Sequence, residues 1–236
     1  MRNDGRRADQ LRPLEIVPDF LEQPHGCALI AQGKTRVLCT ASIEEGVPRW
    51  MAGRGVGWVT AEYSMLPAAG GQRSQREASA GKQKGRTVEI QRLIGRAVRA
   101  VVDFDALGER TVWLDCDVLQ ADGGTRCAAI SGAYVAAQRA LDRFGLAKAV
   151  REPVGAVSVG VVDGEVLLDL DYSEDSTAEV DLNVVMTAAG RFVEIQATAE
   201  RETFDLEQLA ALLELAEAGI SRIWAAQRAA AEVARG

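Results

Sequence analysis

Four consecutive residues, Gly123-Gly124-Thr125-Arg126, combine the parts of an anion site. Residues 111–121 before them alternate apolar Val112, Leu114, Cys116 and Val118 with other residues, as a strand does. Residues 126–144 after them are apolar at helical spacing through Ile130, Tyr134, Ala137 and Leu141. The glycines therefore fall where unpaired N–H groups at a helix start can face an anion. Thr125 adds a hydroxyl, and Arg126 adds a forked cation suited to phosphate oxygens. The spacing is neither that of a P-loop nor that of a dinucleotide fingerprint. Taken alone, the same residues also read as a tight turn with Thr125 capping the helix and Arg126 in solvent.

A second helix start repeats the pattern. Arg86 follows Gly85, and Ile90, Leu93, Ile94, Ala97, Val98 and Val101 then form one apolar stripe, leaving Arg92, Arg96 and Arg99 elsewhere on the surface. A cation beside the positive end of a helix is unfavourable unless an anion binds there. Two such starts, each with a glycine and an arginine, suggest convergence on one anion. Further along, Asp175 stands in a turn-like Glu-Asp-Ser segment and Asp181 inside a strand pattern. Val180, Leu182, Val184 and Met186 share one face there, with Glu179, Asp181 and Asn183 on the other. Asp181 thus points away from the apolar face, toward a cleft. Two carboxylates brought close by a turn can hold Mg²⁺; a solvated acidic hairpin is the competing reading.

Net charge is −7, but its distribution matters more. Residues 71–100 carry eight basic and two acidic side chains, and residues 163–182 carry eight acidic and no basic ones. The first segment is built to attract anions and the second to hold cations. An anion cradle, a carboxylate pair and a basic loop fit one reaction, the phosphorolysis of RNA. Phosphate held by arginines attacks, loop arginines grip the polyanion, and the carboxylates, directly or through a metal, stabilise the departing oxygen. His25 is the only histidine, which excludes multi-histidine metal sites. Cys27, Cys39, Cys116 and Cys127 form no C-x-x-C pair and read as reduced core thiols.

The elements that must position these groups follow from periodicity. Residues 11–20 and 25–46 read as strands, the latter a hairpin turning at Gln32-Gly33-Lys34, and 55–66 as another strand. Residues of about 67–85 read as a long, mobile basic loop. Four more strands follow at 154–164, 165–172, 178–187 and 191–200. A helix over about 205–232 closes the chain, with Leu206, Leu209, Leu212, Leu213, Leu215, Ala216 and Ile220 on or near its buried face. The sequence predicts a single α+β domain over residues 1–236. The charged N-terminus lacks an apolar signal-peptide core and no stretch is long and apolar enough to span a membrane, so a cytoplasmic protein is expected.

These residues also carry a resemblance. RNDGR near the start, GWVTAEY at 57–63, GKQKGRTVEIQRLIGR at 81–96, LDCDVLQADGGTR at 114–126, EDS at 174–176, DLNVVMT at 181–187 and ATAE at 197–200 occur in the order and at the spacing of the bacterial ribonuclease PH family. The chain resembles that family from end to end. The resemblance implies a fold like the second domain of ribosomal protein S5 and a homohexamer built as a trimer of dimers. It implies a phosphate-dependent 3′-to-5′ exoribonuclease that trims precursor tRNA, with rRNA processing among the family's roles, and releases nucleoside 5′-diphosphates. Arg86, Gly124, Thr125 and Arg126 match the family's phosphate site, Asp175 and Asp181 its catalytic and Mg²⁺-holding pair, and Arg73 and Arg76 its tRNA-binding loop. The chain departs from the family's E-Y-G-M-L-P-R, reading EYSMLPA, so Ala68 stands in place of a loop arginine. A silent RNA-binding ring subunit and a nucleoside phosphorylase are the alternatives. The intact phosphate and carboxylate positions disfavour the first, and the basic loop disfavours the second.

Overall fold

The computed structural model describes residues 2–233. The elements run β1 (Leu14–Pro18), β2 (Gly26–Gln32), β3 (Thr35–Glu45), β4 (Trp58–Met65), α1 (Gly85–Arg99), α2 (Phe104–Leu107), β5 (Arg110–Gln120), α3 (Thr125–Arg143), β6 (Val154–Val162), β7 (Glu165–Leu168), α4 (Tyr172–Asp175), β8 (Val180–Thr187), β9 (Phe192–Ala199) and α5 (Leu206–Val233). They build the expected α+β architecture from two sheets. The first has strand order β1-β2-β3-β5-β4, and the second β7-β6-β8-β9. Pairing is antiparallel except for β4 and β5, which run parallel.

Local chemistry fixes the hairpins where the sequence places them. Gln32 pairs with Thr35 across a two-residue turn in which Gly33 has φ +60°. Val162 pairs with Glu165 across Asp163 and Gly164, both left-handed, as a tight hairpin with the right strand twist requires. The arginine-rich segment before α1 is exposed. A short 3₁₀ turn at Ala78–Ala80 interrupts it, and Glu77 ties it to α1 by accepting from the Lys84 N–H and the Thr87 hydroxyl.

Helix α3 lies between the two sheets. It packs on β2, β3 and β5 of the first and on β6 of the second. Sequence periodicity shows only the stripe through Ile130, Tyr134, Ala137 and Leu141, yet Ala128, Ala129, Gly132, Ala133, Ala136 and Ala140 are buried as well. Small residues let the two sheets approach the helix from both sides. The second sheet divides its faces accordingly. Val157, Val159, Val180, Leu182, Val184 and Met186 meet α5 through Leu212, Ala216, Ile220 and Ile223, whereas Val154, Ala156 and Val185 join the core around α3. Leu206 departs from expectation: it stands 81% exposed in the first turn of α5, and the buried stripe starts farther along, through Leu212. All four cysteines are buried and unpaired. His25 is structural, its Nδ1 accepting the Ile43 N–H at 2.9 Å while its ring packs on Phe144. Among the described residues no helix is long and apolar enough to cross a membrane.

The closeness of α3 to the first sheet is testable. A Cβ on Gly132 would stand 2.7 Å from Cys39 Sγ and 2.9 Å from Ile30 Cγ2. Gly132→Ala should therefore cost about 1–3 kcal/mol in urea unfolding, despite the better helix propensity of alanine. An unchanged or raised midpoint would contradict the sandwich packing.

Candidate active site

The Gly-Gly turn joins β5 to α3 and is held from three sides. Gly123 and Gly124 have φ +74° and +63°, conformations that L side chains rarely adopt. Above the turn, the Thr35 hydroxyl donates to the Gly123 carbonyl at 2.7 Å and accepts the Asp122 N–H at 2.9 Å. Beside it, a Cβ on Gly123 would meet the Leu170 carbonyl oxygen at 2.7 Å and the Tyr172 nitrogen at 2.9 Å, so the turn lies directly against the chain entering α4. Below it, Arg12 donates through Nη1 to the Asp122 carbonyl, and its Nη2 lies 2.8 Å from where a Gly124 Cβ would be. Gly124 is the N-cap of α3 and makes no side-chain cap. Thr125 is the first residue of the helix and its hydroxyl accepts from Tyr63, so the reading of Thr125 as a mere cap is set aside.

Arg12 belongs to a buried ion cluster. Asp169, 1% exposed and at φ +56°, accepts the Arg12 N–H at 2.8 Å through one carboxylate oxygen and Arg12 Nη2 at 2.6 Å through the other. Arg2 grips Glu174 bidentately, at 2.7 and 2.6 Å, and donates to the carbonyls of Leu168 and Asp169; Arg6 also donates to the Asp169 carbonyl. Glu174 in turn accepts the Asp171 N–H and completes a capping box that starts α4. Two carboxylates of the acidic run are thus engaged by the chain's own N-terminal arginines, which local pattern could not show.

Helix α4 places Asp175 at its last position, and β8 presents Asp181 one step into the second sheet. On the face of β8 turned away from α5, Asp181 is half-buried. Asn183 and Val185 beyond it are buried toward α3, with the Cys127 thiol donating to Asn183 Oδ1 at 3.3 Å. Asn183 Nδ2 donates to Asp181 Oδ2, whereas Asp181 Oδ1 is buried without a partner. Burial first, then the charge of Asp175, pushes the Asp181 carboxyl up to about 6. Burial likewise raises Asp175, opposed by the positive fields of Arg86 and Arg126.

Both helix starts lie within electrostatic reach of Asp175. Arg86 and Arg126 both act on Asp175 and on the buried Tyr63 hydroxyl, and Arg126 acts on Asp181 as well. Arg86 is exposed in the first turn of α1. Arg126 is largely buried, its Nη1 donating to Gln196 Oε1 at 2.6 Å and Glu89 Oε1 at 3.2 Å. The structure thus brings Arg86, Gly124, Thr125, Arg126, Asp175 and Asp181 together. Arg73 and Arg76 stand exposed in the loop before α1, as does Ala68. Arg76 lies close enough to Asp117 on β5 to lower a carboxyl that burial raises. Sequence reasoning missed Arg2, Arg6, Arg12, Thr35, Asp169, Glu174, Glu89 and Gln196. Three of the quoted motifs touched them without giving them a role: RNDGR holds Arg2 and Arg6, the 81–96 motif holds Glu89, and EDS holds Glu174.

The chain matches known proteins along most of its length. Residues 10–140 match the family model described as 3′ exoribonuclease family, domain 1, and residues 152–219 match that described as 3′ exoribonuclease family, domain 2. The chain is 55% identical to the ribonuclease PH of Bacillus pumilus over 97% of each protein, and 55% identical to that of Bacillus subtilis over 94% of each. Among solved structures it superposes on rice Rrp46 with a TM-score of 0.78 at 20% identity, covering 96% of this chain and 98% of that one. With the Archaeoglobus fulgidus exosome carrying RNA at its active site, the TM-score is 0.79 at 22% identity, over 94% and 91%. At such identities these two likenesses concern the fold.

Two outcomes follow from the buried charges. Asp169→Asn leaves Arg12 without its counter-charge and should cost about 3–5 kcal/mol in urea unfolding; a loss below about 1 kcal/mol would contradict the cluster's role. For Asp181, a folded-state carboxyl raised from 3.8 to about 6 binds its proton more readily than in the unfolded chain. Stability is therefore lost as pH rises through that window. In metal-free buffer, Asp181→Asn should raise the unfolding midpoint fully above about pH 6, with the gain fading toward pH 3.8. A gain largest in acid would contradict the assignment.

Proposed function

Because the chain belongs to the ribonuclease PH family of 3′ exoribonucleases, we propose that its phosphate-dependent 3′-to-5′ removal of nucleotides is carried out at the junction of α3, α1 and α4. Inorganic phosphate is a substrate of this enzyme. In our reading it sits on the N–H groups at the start of α3, between Arg86 and Arg126, with the Thr125 hydroxyl and the Gly124 backbone completing the cradle. The carrying observation is that the glycine turn at the start of α3, beside Arg126, packs directly against the chain entering α4, the helix that ends in Asp175. So placed, a phosphate oxygen attacks the phosphorus of the terminal phosphodiester and a P–O–P bond forms. The bond to the 3′ oxygen of the preceding nucleotide breaks, that oxygen takes up a proton, and a nucleoside 5′-diphosphate leaves. Arginines that hold and align phosphate supply most of what this displacement needs.

Asp175 and Asp181 face the departing oxygen. Their mutual repulsion and the partnerless Asp181 Oδ1 fit a divalent cation such as Mg²⁺, which these two carboxylates would hold. Among the described residues no group of three or more candidate ligands occurs. When bound, the ion supplies positive charge to the departing oxygen. Arg73 and Arg76, exposed on the loop before α1, grip the RNA backbone. The natural substrate in this reading is the 3′ end of precursor tRNA. The enzyme works in the cytoplasm as a homohexamer, a trimer of dimers. We also read the chain as one domain, because α3 is common core to both sheets.

Incubation of tRNA bearing a short 3′ extension should release nucleoside 5′-diphosphates only when inorganic phosphate is supplied. Monophosphate products, or trimming indifferent to phosphate, would overturn phosphorolysis. Arg86→Ala and Arg126→Ala should each raise KM for phosphate about 10-fold to 100-fold, as loss of a charged hydrogen bond does. Wild-type phosphate dependence in either would remove that arginine from the cradle.

A further inference from the structure

We propose that Tyr63 is a positioning residue for phosphate: its hydroxyl donates to Thr125 Oγ1 and thereby turns the Thr125 proton toward the incoming anion. The inference rests on the phosphate site proposed above and adds a residue that does not itself touch the ligand. Tyr63 lies near the end of β4, paired with Cys116 of β5, on the sheet face that packs toward α3. It is 4% exposed, and its hydroxyl stands 3.0 Å from Thr125 Oγ1. Among the described residues no other partner reaches that hydroxyl.

The direction of this hydrogen bond follows from what each hydroxyl can reach. If Thr125 donated to Tyr63, the phenolic proton would be buried without an acceptor, which costs about 1–3 kcal/mol. If Tyr63 donates, its proton is satisfied and the Thr125 proton must find an acceptor elsewhere. Thr125 is the first residue of α3, beside the two arginines that hold the anion, so a phosphate oxygen is the acceptor at hand. Burial also raises the Tyr63 hydroxyl above its ordinary range, so it remains a donor at neutral pH. A hydroxyl oriented before the ligand arrives needs no reorganisation when phosphate binds. Phenylalanine would fill the same space, so packing alone does not account for tyrosine here.

The test is a double-mutant cycle read in steady-state kinetics, with unfolding midpoints measured alongside. Tyr63→Phe should raise KM for inorganic phosphate about threefold to tenfold, the value of one neutral hydrogen bond. It should leave KM for RNA unchanged and kcat at saturating phosphate within about twofold. Thr125→Val should raise KM for phosphate, and Thr125→Ser, which keeps the hydroxyl, should raise it less. Tyr63→Phe should then add nothing further in the Thr125→Val background. An unchanged KM for phosphate in Tyr63→Phe, multiplicative effects in the double variant, or a uniform loss of kcat and both KM values would overturn the proposal. If Thr125→Val and Arg126→Ala both left KM for phosphate unchanged, the phosphate site itself would be wrong, a distinct result. Should Tyr63→Phe not fold, site-specific 3,5-difluorotyrosine at position 63 keeps the shape and ionises at lower pH. Relative to the parent, its KM for phosphate should then rise with pH as the donor is lost, and an unchanged profile would overturn the proposal.

Discussion

The site depends on a charge pair sealed beneath it. Asp169 is held in a left-handed conformation with both carboxylate oxygens committed to Arg12, one to its backbone N–H and one to its guanidinium. The same guanidinium reaches the Asp122 carbonyl under the Gly-Gly turn. Arg2 and Arg6 extend the cluster to Glu174, whose capping box opens the helix that ends in Asp175. A buried pair of this kind adds little net stability over apolar packing, but losing one partner strands a charge. Its effect is geometric: it fixes the glycine turn and the helix that ends in Asp175 to each other through a third segment. That segment is the N-terminal part of the chain, 110 residues from Asp122 in the turn and 157 from Asp169.

Helix α3 supplies the second constraint. Its alanines and Gly132 let both sheets close on it, so its N-terminus emerges at the seam between them. The first sheet delivers the turn through β5, and the second delivers Asp181 through β8. Glu89 from α1 and Gln196 from β9 converge on Arg126 and hold its guanidinium beside that seam. Charges of opposite sign are therefore presented by different layers. An anion on the arginine side and a departing oxygen on the carboxylate side would meet across the seam.

The local signals in the sequence were sound. Two helix starts with glycine and arginine, the alternation in β5 and β8, and the hairpin turns at Gly33 and Gly164 all act over a few residues, and the structure shows each in place. What could not be read is what depends on distant pairing. Arg2, Arg6 and Arg12 look like a solvated charged terminus, and Asp169 and Glu174 like part of an acidic surface; only the fold reveals them as partners. The small residues of α3 hid how deeply it is buried, because alanine carries little periodic signal. Leu206 misled in the opposite sense, being apolar at the right spacing one turn before α5 meets the sheet. Tyr63 lay within a recognised motif, but its partner Thr125 is 62 positions away.

The most direct measurement of the central claim is a crystal structure with a heavy phosphate mimic such as tungstate, located by its anomalous signal. The account predicts one anion at the start of α3, within hydrogen-bond distance of the Thr125 hydroxyl and the guanidinium groups of both Arg86 and Arg126. An anion held elsewhere, or a site engaging Arg126 while Arg86 points to solvent, would contradict it.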